Sequence, residues 1–160
     1  MSEGQSARLD SGNSGVSNVP RVVRPMRVDP DNLPTVGTRS KCLGVREPPD
    51  PHADVDIDGA GDVLLNRKGL SVTADWKQLP GHLIPEHLDD GFNGASGRGL
   101  RVFVHGAGAF QEGPLATRLE LIYKAGKTDT GLIVPTTLES LKQFQQNLAA
   151  TRSDWSIDES

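Results

Sequence analysis

The chain has 160 residues and a mass of 17.1 kDa, with a formal net charge of −4 and a pI near 5.5. That length suits one domain, and the acidic balance argues against general nucleic-acid binding, which needs clustered Lys and Arg to neutralise phosphates. With 35% hydrophobic residues, 18 Gly and 11 Pro, the composition excludes a coiled coil, a helix bundle and a membrane protein, and predicts a small core broken by many turns.

Residues 1–18, rich in Ser, Gly and Asn, bury almost nothing and read as a disordered tail. Residues 19–156 then form a single domain. From Val19 to Val28 apolar residues alternate with Arg21, Arg24 and Arg27, and Pro25 demotes this run to an edge strand or two short pieces. Residues 29–62 carry Pro30, Pro34, Pro48, Pro49 and Pro51 and read as one long loop, functional or disordered, with Cys42-Leu43-Gly44-Val45 anchoring its middle. A lone Cys42 forms no internal disulfide, which points to a reducing compartment. Cys42 itself reads as a small apolar filler. The N-terminal residues lack the apolar stretch of a signal peptide, so the expected site of action is a cytoplasm, of the producing cell or of a target cell.

Val63-Leu64-Leu65 and Gly69-Leu70-Ser71-Val72-Thr73 mark the return of order, the second as an alternating strand. Trp76 to Leu79 suggests one helical turn, and Pro85 opens a short helix through Leu88. Phe92 to Gly99 reads as a mobile Gly-rich stretch. Leu100 to His105 alternates as a strand, and Leu115 to Lys124 as a longer one with Leu119, Leu121 and Tyr123 on one face. A turn at Gly126 to Asp129 leads to a short apolar strand, Gly131 to Val134, closed by Pro135. Thr136 and Glu139 have the spacing of a capping box. Leu138, Leu141, Gln145 and Leu148 then share one helix face beside Phe144, with Trp155 continuing the stripe if the helix runs on. Several strands followed by one clear C-terminal helix indicate an α+β domain with small, mostly antiparallel sheets.

Most candidate chemistry fails on its spacing. Asp54, Asp56, Asp58 and Gly59 begin like a calcium loop, but position twelve is Leu65 where a bidentate Glu belongs, so a solvated acidic turn is the expectation. Gly126-Lys127-Thr128 lacks the upstream Gly of a phosphate loop, and Gly106-Ala107-Gly108 lacks the last Gly of a dinucleotide fingerprint. His82 and His87 are five apart with Pro85 between them, which breaks the one-face geometry of a helical zinc pair, and no metal site is expected. His82, framed by Pro80 and Pro85, suits an orienting hydrogen bonder or an ordinary structural His. Ser71 stands at a strand start with no obvious base beside it.

Taken in order, Gly69-Leu70-Ser71-Val72, Leu79-Pro80-x-His82, Thr130-Gly131-Leu132-Ile133-Val134-Pro135 and Thr151-Arg152-x-x-Trp155 resemble bacterial toxins with an ADP-ribosyltransferase-like fold. Among these, the resemblance is to small cytoplasm-acting effectors delivered by type VI secretion and to similar uncharacterised bacterial proteins. The resemblance covers residues 20–155. It implies two small sheets split around an NAD cleft, and cofactor-binding roles for Arg24 on the first strand (with Arg21 as rival), for Ser71 on the second, and for His82. Thr130 matches the third position of the site, where family members often carry His. Such a toxin implies a cognate immunity protein as partner. Cleaving the nicotinamide–ribose bond builds an oxocarbenium-like centre that a carboxylate stabilises. Glu139 is the acid nearest the matching strand, making Thr130 and Glu139 the catalytic candidates of an NAD-dependent ADP-ribosyltransferase or an NAD glycohydrolase. The cluster of Arg21, Arg24 and Arg27 would meet a pyrophosphate. The rival reading is a non-enzymatic interaction module that uses the Pro-rich and Gly-rich loops as its contact surface.

Overall fold

A computed structural model describes residues 18–88 and 96–160. The expected tail lies outside the described residues apart from Asn18, as do residues 92–95 of the Gly-rich stretch. The strands are β1 (Val22–Arg27), β2 (Leu70–Thr73), β3 (Leu100–His105), β4 (Gly113–Ala116), β5 (Leu119–Tyr123), β6 (Thr130–Pro135) and β7 (Ser156–Ile157). One α-helix, α1 (Leu141–Ala150), lies between β6 and β7, and short 3-10 helices occupy Trp76–Gln78, Gly81–Leu83, Glu86–Leu88 and Arg152–Asp154.

The mostly antiparallel, α+β character of the expectation holds, but its two sheets are one. The strands pair in the order β4-β5-β6-β2-β1-β3-β7, every ladder antiparallel. The sheet is continuous because a single register pair, Val23 with Thr73, joins β1 to β2. On its other side β1 pairs with β3 along six positions, and β2 pairs with β6 along four. Beyond the Val23–Thr73 pair the two halves diverge, and this split shapes the site.

Pro25 therefore lies in an interior strand rather than at an edge. Its position is still lawful. Val23 pairs toward β2, while the Arg27 N–H donates to the Lys41 carbonyl and the Arg27 carbonyl accepts from Thr35. Strand parity puts the nitrogen of Pro25 on that same side, at the split, where no ladder bond is lost.

The main core gathers side chains from most of the described chain: Val22 and Met26 of β1, Leu70 and Val72 of β2, Phe103, Leu119, Leu121, Ile133, Phe144, Leu148 and Trp155. The segment 29–62 contributes Leu43, Val45 and Val55 to this core, so it is irregular but ordered. Two side chains sew it down. Gln145 of α1 accepts from the Val45 N–H and donates to the Val45 carbonyl, and Arg152 donates to the Pro34 carbonyl, Asp29 and Asp31. A second, smaller cluster joins Val23, Val102 and Val104 with Trp76 and Leu88.

Two local readings change. Leu115 to Lys124 is a hairpin and not one strand, because Arg118 adopts φ 60° and turns the chain between β4 and β5. The helix begins later than the Thr136–Glu139 box predicts. Ser140 is the N-cap, its hydroxyl accepting from the Gln143 N–H at 3.0 Å, and Leu138 is exposed. Trp155 does belong to the core, but the helix has ended before it and the residues that follow it add β7 beside β3.

The last residues are fastened by Glu159. Arg101 holds its carboxylate through two hydrogen bonds, at 2.8 and 2.9 Å, and the Val102 N–H and His87 complete the set. Burial opposes this charge more than any other single influence. The hydrogen bonds from Arg101, His87 and Val102 together outweigh it and hold the carboxyl at about 2, below its ordinary 4.5. A depressed carboxyl contributes stability above its unfolded pKa and loses it as pH falls through the folded value. Acid unfolding should therefore show a loss between pH 4.5 and about 2 that Glu159→Gln removes. With Arg101 half-buried and His87 exposed, the loss is about 1–2 kcal/mol after screening is allowed for. Equal pH profiles for the two proteins in urea titrations would contradict this assignment.

Candidate functional site

The split between β1 and β2 opens into a cavity of about 440 Å³. β1 contributes Val23, Arg24 and Pro25, β2 contributes Ser71, Val72 and Thr73, and the 79–83 segment contributes Leu79, His82 and Leu83. The loop side adds Ser40, Lys41, Arg46 and Asp54. Three of the five candidate residues, Arg24, Ser71 and His82, thus line one cleft.

Arg24 holds the split open in a defined shape. Its Nε and one terminal nitrogen donate to the Cys42 carbonyl at 3.3 and 3.1 Å, and the other donates to the Ser71 carbonyl at 2.8 Å. These bonds satisfy main-chain acceptors where the halves of the sheet part. Burial lowers the guanidinium from its ordinary value to about 10, against the pull of the nearby Asp54 carboxylate, so it stays charged at neutral pH. Two of its five N–H groups remain for a ligand.

Asp54 is the one carboxylate among the described lining residues of the cleft. Its Oδ2 accepts from the Arg46 N–H at 2.7 Å and from Arg46 Nε at 3.2 Å, and its Oδ1 accepts from the terminal guanidinium nitrogen at 2.9 Å. The same bonds raise the pKa of Arg46. Asp54 is therefore committed to a neighbouring cation, and its two companions in the acidic turn are engaged as well. Asp56 accepts from Asn66 and pairs with Lys68, and Asp58 accepts from the Ala60 and Asp62 N–H groups. Among the described residues no group of three or more His, Cys, Asp or Glu side chains is arranged to hold a metal ion.

The other two candidates lie elsewhere. Thr130 begins β6 opposite Thr73, one strand from the cleft wall, and its hydroxyl is buried without a hydrogen-bond partner. Glu139 is outside the cleft lining, just ahead of the helix cap, where its carbonyl accepts from the Val63 N–H. Oε2 accepts from Asn147 at 3.2 Å, Oε1 has no hydrogen-bond partner, and Arg118 stands 3.9 Å away. Burial raises this carboxyl above 4.5, with Asn147 and Arg118 pulling the other way. A raised carboxyl costs the fold stability as pH climbs through its folded pKa. Glu139→Gln should accordingly be slightly more stable at pH 7, by less than about 1 kcal/mol, with the difference shrinking toward pH 4. It should leave any ligand binding in the cleft unchanged. A loss of binding in calorimetry would place Glu139 in the working site after all.

The three arginines in and just before the first strand do not act together. Arg21 pairs with Asp158 at 3.1 Å, Arg27 is exposed and absent from the cleft lining, and only Arg24 enters it. Residues spaced by three alternate in facing along a strand, so this cluster exists in sequence but not in space. Sequence reading missed Lys41, Arg46 and Asp54, which come from irregular chain with no periodicity to flag them. The closest hint was the acidic run containing Asp54.

Among the described residues no helix is long and apolar enough to cross a membrane. No protein-family model matches the chain, and neither a curated protein nor a solved structure matches it significantly.

Proposed function

We propose that the cleft between β1 and β2 binds NAD and that the protein is an ADP-ribosyltransferase-like toxin domain acting in a cytoplasm, with a cognate immunity protein as its partner. The observation that carries this reading is the shared lining of one cleft by Arg24, Ser71 and His82, the last two 47 and 58 positions after Arg24 in the chain, while Thr130, the expected third position, stays outside it, so the observation supports binding rather than catalysis. Arg24 and Lys41 present positive charge to a diphosphate, since charge-assisted bonds to phosphate oxygens are the strong ones. The Ser71 hydroxyl is exposed on the same wall and suits a ribose or amide contact. On this reading Asp54, which lines the cleft where Glu139 does not, would have to give up part of its hold on Arg46 to face a developing oxocarbenium centre.

Isothermal calorimetry and saturation-transfer NMR with NAD and ADP-ribose test the binding step. Millimolar or tighter binding that Ser71→Ala weakens is the expected result, and no binding by wild type would remove the proposal. Release of nicotinamide tests the chemistry, and growth arrest on expression in a bacterium, relieved by Ser71→Ala, tests the toxin role. One observation favours the rival interaction module: Asp54 is already held by Arg46 through three hydrogen bonds. That reading predicts neither nucleotide binding nor nicotinamide release, and a stable protein complex in pull-down.

A further inference from the structure

A second cavity, of about 370 Å³, lies on the other side of Ser71 and Asp54, which line both spaces. Arg67, Lys68 and Lys124 line it together with Tyr123 and Gly69. In a chain of net charge −4, three cations around one cavity run against the overall balance. Asp54 is the only carboxylate among its described lining residues, and both its oxygens are taken by Arg46. Among the described residues Lys124 makes no ion pair, and Arg67 approaches Glu112 only at 4.0 Å.

The cavity is also a built one. Arg67 adopts φ 63°, an unusual backbone for a residue with a side chain. From that turn its guanidinium reaches across to donate to the Tyr123 carbonyl at 2.8 Å, leaving N–H groups over. At Gly69 a Cβ would collide with the Ile133 carbonyl, so glycine lets the start of β2 settle against β6 beneath the three cations.

We propose that Arg67, Lys68 and Lys124 form a binding site for a small phosphate-bearing anion, a phosphomonoester or diphosphate, separate from the Arg24 cleft. Arg67 supplies a fork for two phosphate oxygens, while Lys124 adds a movable point charge. Lys68 exchanges its Asp56 partner, 3.0 Å away and solvent-accessible, for the ligand. The site does not depend on the dinucleotide reading of the first cleft.

Amide NMR titrations with inorganic pyrophosphate, and separately with AMP, test it. Saturable shifts at Gly69, Lys124 and Ala125 are expected, with none from adenosine. Lys124→Gln alone should weaken pyrophosphate binding several-fold, and Arg67→Gln with Lys124→Gln by roughly tenfold or more. NAD-induced shifts around Arg24 and Lys41 should persist in both variants, which keeps the two sites distinguishable. The proposal fails if pyrophosphate shifts only residues around Arg24 and Lys41, or if no saturation appears below about 10 mM. It also fails if adenosine shifts the same amides as AMP, or if Lys124→Gln, with its amide spectrum otherwise preserved, binds pyrophosphate as wild type does.

Discussion

Arg24→Met should weaken binding of an anionic dinucleotide in the cleft by about 30- to 1000-fold while changing the stability of the fold by only about 1–2 kcal/mol, because two large effects nearly cancel. The lost hydrogen bonds strand the Cys42 and Ser71 carbonyls, at a cost of about 1–3 kcal/mol each. Against this, burial has lowered the guanidinium from its ordinary value to about 10, a penalty of roughly 3 kcal/mol that Met does not carry. A ligand phosphate has no such compensation. Removing the cation that faces it costs about 2–4 kcal/mol of binding, or 30- to 1000-fold in Kd. Arg24→Lys should fall between, since an ammonium keeps the charge but cannot bridge two carbonyls and a ligand at once. Urea titration and calorimetry on the three proteins check both halves. A large loss of stability with binding retained in Arg24→Lys would make Arg24 a purely structural clamp.

The largest expected loss of stability comes from Trp155→Ala, at about 4 kcal/mol, equivalent to roughly 10 °C in Tm for a chain of this size. Trp155 is 1% exposed, its indole N–H donates to the Thr151 hydroxyl at 2.9 Å, and its ring meets His105 at 5.3 Å. The Thr151 hydroxyl in turn donates to the Leu148 carbonyl at 2.7 Å, so the indole ends a short chain of bonds that closes α1. The cavity left by Ala would also free β7 from β3. His105 sharpens the effect. Burial lowers its pKa, with Asp154 pulling the other way, and its Nδ1 has no hydrogen-bond partner. It is therefore held neutral, and stability falls as the pH drops below the ordinary His value of about 6.5. Opening the Trp155 site to water should weaken that pH dependence as well as the fold. Trp155→Phe should recover most of the melting temperature, and calorimetric melts of both variants at pH 7 and pH 5.5 decide the matter. A Tm unchanged in Trp155→Ala would contradict the buried role.

Leu70 to Thr73 was legible because it carries its apolar residues at period two, and Leu100 to His105 because Leu100, Val102 and Val104 do, although Phe103 on the opposite face is buried as well. The α1 stripe was legible for the same kind of reason, although its cap was misplaced by one turn: Glu139 suits a capping box by spacing, but Ser140 offers the closer hydroxyl. The hairpin at Arg118 was hidden, since a left-handed Arg carries none of the glycine or asparagine signal that marks such turns. β7 was invisible because two residues show no period. Of the candidate site, Arg24, Ser71 and His82 were legible as residues lining one cleft. Lys41, Arg46, Asp54, Arg67 and Lys68 were not, because their proximity arises from how irregular segments cross the split, and no local pattern encodes that crossing.

A sheet joined at one register pair owns an edge in its middle, with donors and acceptors that would template another strand just as an outer edge does. The protein deals with this edge as outer edges are dealt with. Pro25 presents no N–H there, the charged Arg24 occupies the Ser71 carbonyl, and loop residues 35–41 satisfy the polar groups of Arg27. The groups that shape the cleft are thus also the groups that keep it from being filled by a strand of the wrong partner, so resistance to self-association and openness to a ligand rest on the same few residues.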